Sequence, residues 1–321
     1  MKHTIFFYLV ATAFVLVGAT ACSSGDDGDE PANPTPTQPE EYTRIPLTVE
    51  VEEQPVRDAA TAREGMTRTD ITYLQNLTQF SMDFYKDKDR SGHYDFSKNN
   101  NQWTTKVNDQ TWPGSETGVY PFCFYAYTST GSANPFQGGS DPYISVSVDE
   151  NAFEQKDVLV AKSEDFSGPQ NRPVRLTFDH ICAAVGFTIK MTDKLANKLN
   201  GTALYVKDIQ LQAIAKSGDY HFDGRWTGVS NESTYYTLTY SNAMQVTVGQ
   251  QAMKDTQGND FYLFMIPQQT TAVLKVSYKI GELSGNDTYT DTYINGINID
   301  WKQGYRYFID INLGTANISV P

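Results

Sequence analysis

Within the run RLTFDHICAAVGFTI, Arg175 to Ile189, an Asp, a His and a Cys fall within four positions. Those are the side chains of a thiol nucleophile, its base and an orienting carboxylate. Their spacing argues against that chemistry. The run is apolar and reads as a strand, in which successive side chains point to opposite faces. Phe178, His180 and Cys182 then share one face, and Asp179 and Ile181 the other. Asp179 cannot orient a ring that points away from it. His180 and Cys182 project in parallel from Cα atoms roughly 6.5 Å apart, which is poor geometry for proton transfer. The expectation is a core strand with His180 satisfied by local partners, and no catalytic residue.

A second cluster lies in DKDRSGHYD. Asp87, Asp89, Ser91, Gly92 and Asp95 match the front of a calcium loop, with Gly at its sixth position. The twelfth position, where a bidentate Glu belongs, is Lys98. A polar hairpin turn using Ser91 and Gly92 fits the strand-like flanks better. His93, His180 and His221 fall in unrelated runs without zinc spacing. Neither a Gly-rich phosphate loop nor a G-x-S-x-G elbow is present. Trp103, Trp112, Trp226 and Trp301 could stack sugars if they shared a surface, the alternative being burial in cores and turns. No metal and no cofactor are expected.

The elements that must hold these residues are strands. Short alternating apolar runs are broken by Gly, Asn, Asp and Pro, the pattern of all-β sandwiches. One set runs from IPLTVEVEE at Ile45 to DVLVAKS at Asp157, and a second from RLTFDHICAAVGFTI at Arg175 to YRYFIDINL at Tyr305. Two tandem sandwiches are expected, at 42–169 and 170–321, with a boundary near Pro169. Only TDKLANKLNG, Thr192 to Gly201, has a helical look, enough for a turn or two. Cys123 and Cys182 sit in separate apolar runs and read as small core residues rather than a bridge.

The N-terminus carries an address. An apolar run from Ile5 to Val17 follows Lys2, too short to span a bilayer and suited to a secretory signal. Gly18-Ala19-Thr20-Ala21 then precedes Cys22, which resembles a bacterial lipobox, so residues 1–21 are expected to be removed and Cys22 lipidated. The tether that follows, 22–41, is rich in Pro and acidic residues and cannot bury a core. Its Ser-Gly-Asp-Asp start resembles the surface-export signal of Bacteroidetes lipoproteins. The formal charge of −13 excludes a nucleic-acid footprint.

Five segments in order carry a family resemblance: PFCFYAYTS, DVLVAKS, VRLTFDHICAAVGFTI, FYLFMIPQ and WKQGYRYFIDINLGTANISV. Together with the lipoprotein signal they resemble the Bacteroidetes fimbrillins, although Cys182 stands where that family usually has Leu or Ala. The resemblance implies transthyretin-like sandwiches and a fimbrial subunit or surface adhesin on the outer membrane. It further implies that an arginine-specific protease removes the first strand and that a strand from another subunit fills the gap. Carried onto this chain, the removable strand is IPLTVEVEE, with Ile45, Leu47, Val49 and Val51 facing inward. The candidate cut sites are Arg57, Arg63 and Arg68, with Arg63 or Arg68 favoured, and Gly304 supplies the positive φ of a turn. A different function class, a surface lipoprotein binding glycans through exposed aromatics, stands beside this one.

Overall fold

The structure is a computed structural model that describes residues 47–58, 77–86, 89–105, 112, 122–166, 172–230, 234–254 and 261–319. The first strands are β1 (Val49–Glu53), β2 (Arg57–Asp58), β3 (Gln79–Lys86), β4 (Asp89–Asn99), β5 (Gln102–Thr105), β6 (Phe122–Tyr127), β7 (Phe136–Gln137), β8 (Tyr143–Ser147) and β9 (Leu159–Lys162). Next come β10 (Val174–His180), β11 (Ala183–Met191), β12 (Leu204–Ile214), β13 (Ser217–His221), β14 (Trp226–Thr227) and β15 (Thr234–Val246). The last are β16 (Gln251–Ala252), β17 (Tyr262–Met265), β18 (Gln269–Ile280), β19 (Thr290–Asp300) and β20 (Tyr305–Leu313). The fold is all-β, built as β-sandwich layers, and none of the described helices is long and apolar enough to cross a membrane.

A seven-stranded sheet has the order β1-β10-β9-β6-β3-β4-β5. Its inward row, including Phe80, Phe96, Phe124, Leu176 and Phe178, forms a first core. A second sheet, β16-β11-β20-β2 with β17 also on β11, faces a four-stranded sheet, β15-β12-β18-β19. Between them lies a second core that includes Val185, Phe187, Leu211, Leu238, Val276 and Ile311. A small sheet, β14-β13-β8-β7, adds Ile144, Val146 and Tyr220 to the same core.

The run from Arg175 to Ile189 crosses from one sheet to the other. Along β10 burial alternates strictly, with Val174, Leu176, Phe178 and His180 inside and Arg175, Thr177 and Asp179 outside. The alternation ends there. Ile181 and Cys182 are both buried, at 0 and 2 % exposure, and belong to the second core. Expecting Ile181 to share the face of Asp179 was therefore incorrect, because the strand stops at His180. A chain that changes sheets is enclosed on all sides at the change, and the period of two no longer applies. β11 is then buried along nearly its whole length because it is an inner strand, as both-face coverage requires.

Pro169 lies outside the described residues. β10, downstream of it, is hydrogen-bonded into the sheet of β3, β6 and β9, and β8 upstream pairs with β13 downstream. The helical stretch is one α-helix, α1 (Asp193–Leu199), whose Thr192 side chain accepts from the Leu195 N–H at 3.3 Å and caps it.

Candidate functional site

The N-terminal segment Leu47–Asp58 is the candidate site. β1 is an outer strand of the seven-stranded sheet and lies parallel to β10, pairing Val49 with Val174 through to Glu53 with Phe178. The pairing continues beyond the strand ends, with the Val174 N–H donating to Thr48 O and the Gln54 N–H to Phe178 O, both at 2.8 Å. Alternation explains why this sequence lies here. Leu47 is buried in the first core at 3 % exposure, Val49 and Val51 pack on that core half-buried, and Thr48, Glu50 and Glu52 face solvent. On its other flank β1 pairs with no strand among the described residues. A cleft of about 550 Å³ opens there, shared by Val51, Leu77, Lys98 and Trp103.

The segment then leaves the first sheet and joins the second. The Arg57 N–H donates to Gly304 O at 2.8 Å, and β2 pairs in parallel with Tyr305 and Arg306 of β20. The Arg57 guanidinium lies 5.9 Å from the centre of the Tyr305 ring. Gly304 has φ +70°, the conformation expected of it. One stretch of twelve residues is thus stitched to both sheets, β1 on β10 and β2 on β20.

Where β1 turns away, three ionisable side chains meet. His180 Nδ1 is hydrogen-bonded to Asp157 Oδ2, and His180 Nε2 faces Glu53 Oε1 at 3.7 Å. The His180, Asp157 and Glu53 side chains are 2, 1 and 13 % exposed. Burial pulls the His180 ring towards its neutral form, but the hydrogen bond and charge of Asp157, helped by Glu53, outweigh it and raise the pKa above 6.5. Burial also raises both carboxyls, Asp157 and Glu53. Sequence reasoning gave His180 local partners without identifying them. Asp157 is distant in sequence. The pair Glu52-Glu53 reads in the sequence as exposed and solvated, and for Glu53 the structure corrects this, because the alternation Leu47, Val49, Val51 carries it onto the inward row.

The other candidates fall elsewhere. Cys182 is buried, and its thiol is pushed far up by burial and by the Asp157 charge, the opposite of an activated nucleophile. Cys123 is also buried, and both cysteines are unpaired. Asp87 is outside the described residues, and Asp89, Ser91 and Asp95 lie along β4. Six residues of extended chain separate Asp89 from Asp95 by about 20 Å, and the hairpin turn expected at Ser91 and Gly92 is corrected to a strand, since both residues lie inside β4. Asp95 accepts from the Ser81 hydroxyl at 2.7 Å and lies 3.2 Å from His93 Nε2. Trp112 and Trp301 are core residues at 1 and 4 % exposure. Trp103 is half-buried on the first core and Trp226 on the second. Cys22, Ile45, Arg63 and Arg68 lie outside the described residues.

Comparison with known proteins agrees with this architecture. The model of the fimbrillin-like family matches residues 63–321. No curated protein sequence matches. Among solved structures, a fimbrial protein from Bacteroides vulgatus is similar with a TM-score of 0.50 at 15 % identity, over 83 % of this chain and 95 % of that one. A candidate cell adhesion protein from Bacteroides fragilis gives a TM-score of 0.49 at 13 % identity, over 86 % of this chain and 95 % of that one. At 15 % identity the likeness to the Bacteroides vulgatus protein concerns the fold alone, and the family match over most of the chain carries the assignment: the chain belongs to the fimbrillin-like family.

Proposed function

We propose that the chain is a non-enzymatic fimbrial subunit or surface adhesin that joins other subunits by strand exchange. In this reading Cys22 is acylated and holds the precursor on the outer membrane. A protease cuts after Arg63 or Arg68, the inward row Ile45, Leu47, Val49 and Val51 is released, and a strand from another subunit takes its place on β10. The single observation that carries the reading is the parallel docking of β1 at a sheet edge over an apolar floor. An edge of this kind, once vacated, offers a row of unpaired N–H and C=O groups to an incoming strand. Arg57 is the poorest of the three cut sites, because its backbone N–H is engaged with Gly304.

Brief trypsin treatment of the full chain, sequencing of the new N-terminus and size analysis test the reading. Cleavage within 59–76 followed by a ladder of oligomers is expected. A chain that resists cutting there, or is cut and stays monomeric with β1 retained, overturns it.

A further inference from the structure

Glu53 is a carboxylate where the inward row of β1 would otherwise take another apolar side chain. Leu47, Val49 and Val51 rest on the first core, and that row alone specifies position poorly. A strand displaced by two residues still presents apolar side chains to an apolar floor. Glu53 changes this, because the floor beneath it is not apolar. Its Oε1 has no solvent contact and no hydrogen bond and faces His180 Nε2, which is also buried without a hydrogen bond. The other ring nitrogen is already committed to Asp157.

We infer that the slot filled by β1 recognises a carboxylate: a strand that replaces β1 on β10 must bring an acidic side chain to the Glu53 position, behind apolar side chains at the positions of Leu47, Val49 and Val51. The partner is thereby defined as a strand of the form apolar-x-apolar-x-apolar-x-acidic, and its register is fixed by the single place where the acid fits. This deepens the strand-exchange reading and rests on it.

The chemistry follows from what surrounds the ring. Asp157 sits on one nitrogen, Glu53 on the other, and the Cys182 thiol lies within the field of Asp157. Lys98, from the end of β4, adds a positive charge on the Glu53 side, and the backbones of Leu77 and Gln54 complete the polar surroundings of the cluster. An apolar side chain at the Glu53 position removes the carboxylate that faces the buried ring nitrogen at 3.7 Å, an omission that weakens docking by roughly five- to a hundredfold. A Lys there would meet Lys98 with like charge. A Gln can still present an acceptor oxygen, and its effect falls between. Buried ionic groups act as register markers in other proteins in the same way, since only one alignment pairs them.

Two measurements test this. The first uses the full chain nicked by trypsin and labelled synthetic peptides of residues 44–57, with displacement followed by anisotropy. The native peptide is expected to exchange in, Glu53→Gln to bind less tightly, and both Glu53→Leu and a peptide with Val51 and Glu53 interchanged to bind at least about fivefold more weakly. In a nicked His180→Gln chain the preference for Glu over Leu is expected to shrink. Equal binding of the native and Leu peptides overturns the inference while leaving strand exchange standing. The second uses the intact chain. Glu53→Leu is expected to speed exchange of the β1 and β10 amide hydrogens, and slower exchange, as a longer apolar row would give, overturns the inference. If no peptide enters the nicked chain yet Glu53→Leu loosens β1, strand exchange fails and carboxylate recognition stands.

Discussion

Gly92→Ala separates two explanations of one glycine. In a calcium loop, Gly at this position makes a sharp turn, and its replacement would weaken ion binding. The structure gives it a different duty. Gly92 lies opposite Phe84 in the β3–β4 pair, and a Cβ built there would sit 2.2 Å from Phe84 Cζ and 2.7 Å from Cε1. Carbon atoms in good contact are about 3.5–4.0 Å apart, so the ring would have to move by about 1.5 Å. It has little room to do so. Phe84 is 6 % exposed, stacked on Tyr94 at 5.2 Å and tilted against Phe124 at 6.2 Å. Overpacking of this kind costs about 1–3 kcal/mol, whereas replacing a strand Gly by Ala gains back about 0.5–1 kcal/mol of backbone entropy. The steric cost is the larger, and a net loss of about 1–2 kcal/mol is expected. Urea unfolding followed by tryptophan fluorescence measures it, with and without calcium. In a Phe84→Leu background, where the smaller side chain leaves space, the loss should shrink, and a double-mutant cycle reads the coupling. A Gly92→Ala chain as stable as the parent, or a loss that calcium abolishes, would refute the packing argument.

Three further outcomes follow from the described geometry. Because the His180 pKa is raised, its contribution to stability is fully present below pH 6.5 and is lost as pH rises through the folded value. Glu53 and Asp157 are raised from 4.5 and 3.8, so their contributions have the same sign, present in acid and lost as pH climbs. Melting temperature should therefore decline above pH 6.5, and His180→Asn should flatten that decline; an unchanged slope would contradict the cluster. Burial pushes the Cys123 thiol up to about 11 and Cys182 further still. Neither should react with a thiol probe at pH 8 until the chain unfolds, as peptide mapping of the labelled sites would reveal. Trp112→Ala removes a ring packed edge-on against Phe124 at 5.5 Å and Phe166 at 5.1 Å, and should cost about 3–5 kcal/mol in a denaturant titration.

What the sequence made legible was local. Alternation of period two predicted the strand at Val49–Glu53 and the core position of Phe178, while the inward row beneath that strand and the positive φ of Gly304 followed from the fimbrillin resemblance. The break after His180 was not legible, because Ile181 and Cys182 continue an apolar run with no Gly or Pro to mark a change of sheet. Pairings across long sequence distances were equally silent. Nothing in Val49–Glu53 names β10 as its parallel partner, and nothing in Ser217–His221 names β8. The same distance hid the Asp157–His180 bond. The Ser91-Gly92 pair misled as a hairpin turn, since both residues lie inside β4 and Gly92 is placed opposite Phe84, a demand for glycine that turn chemistry does not reveal.

The direction of the N-terminal stitches has a mechanical meaning. β1 runs the same way as β10, and β2 the same way as β20, the last long strand of the chain. In the uncut chain, a load that enters at the front of β1 and leaves beyond the end of β20 pulls along these rows rather than peeling them open. The bonds in each row are then sheared together, and resistance rises to a single high yield point instead of a succession of small ones. A body tethered at one end and tugged at the other by whatever it holds would keep its shape up to that point.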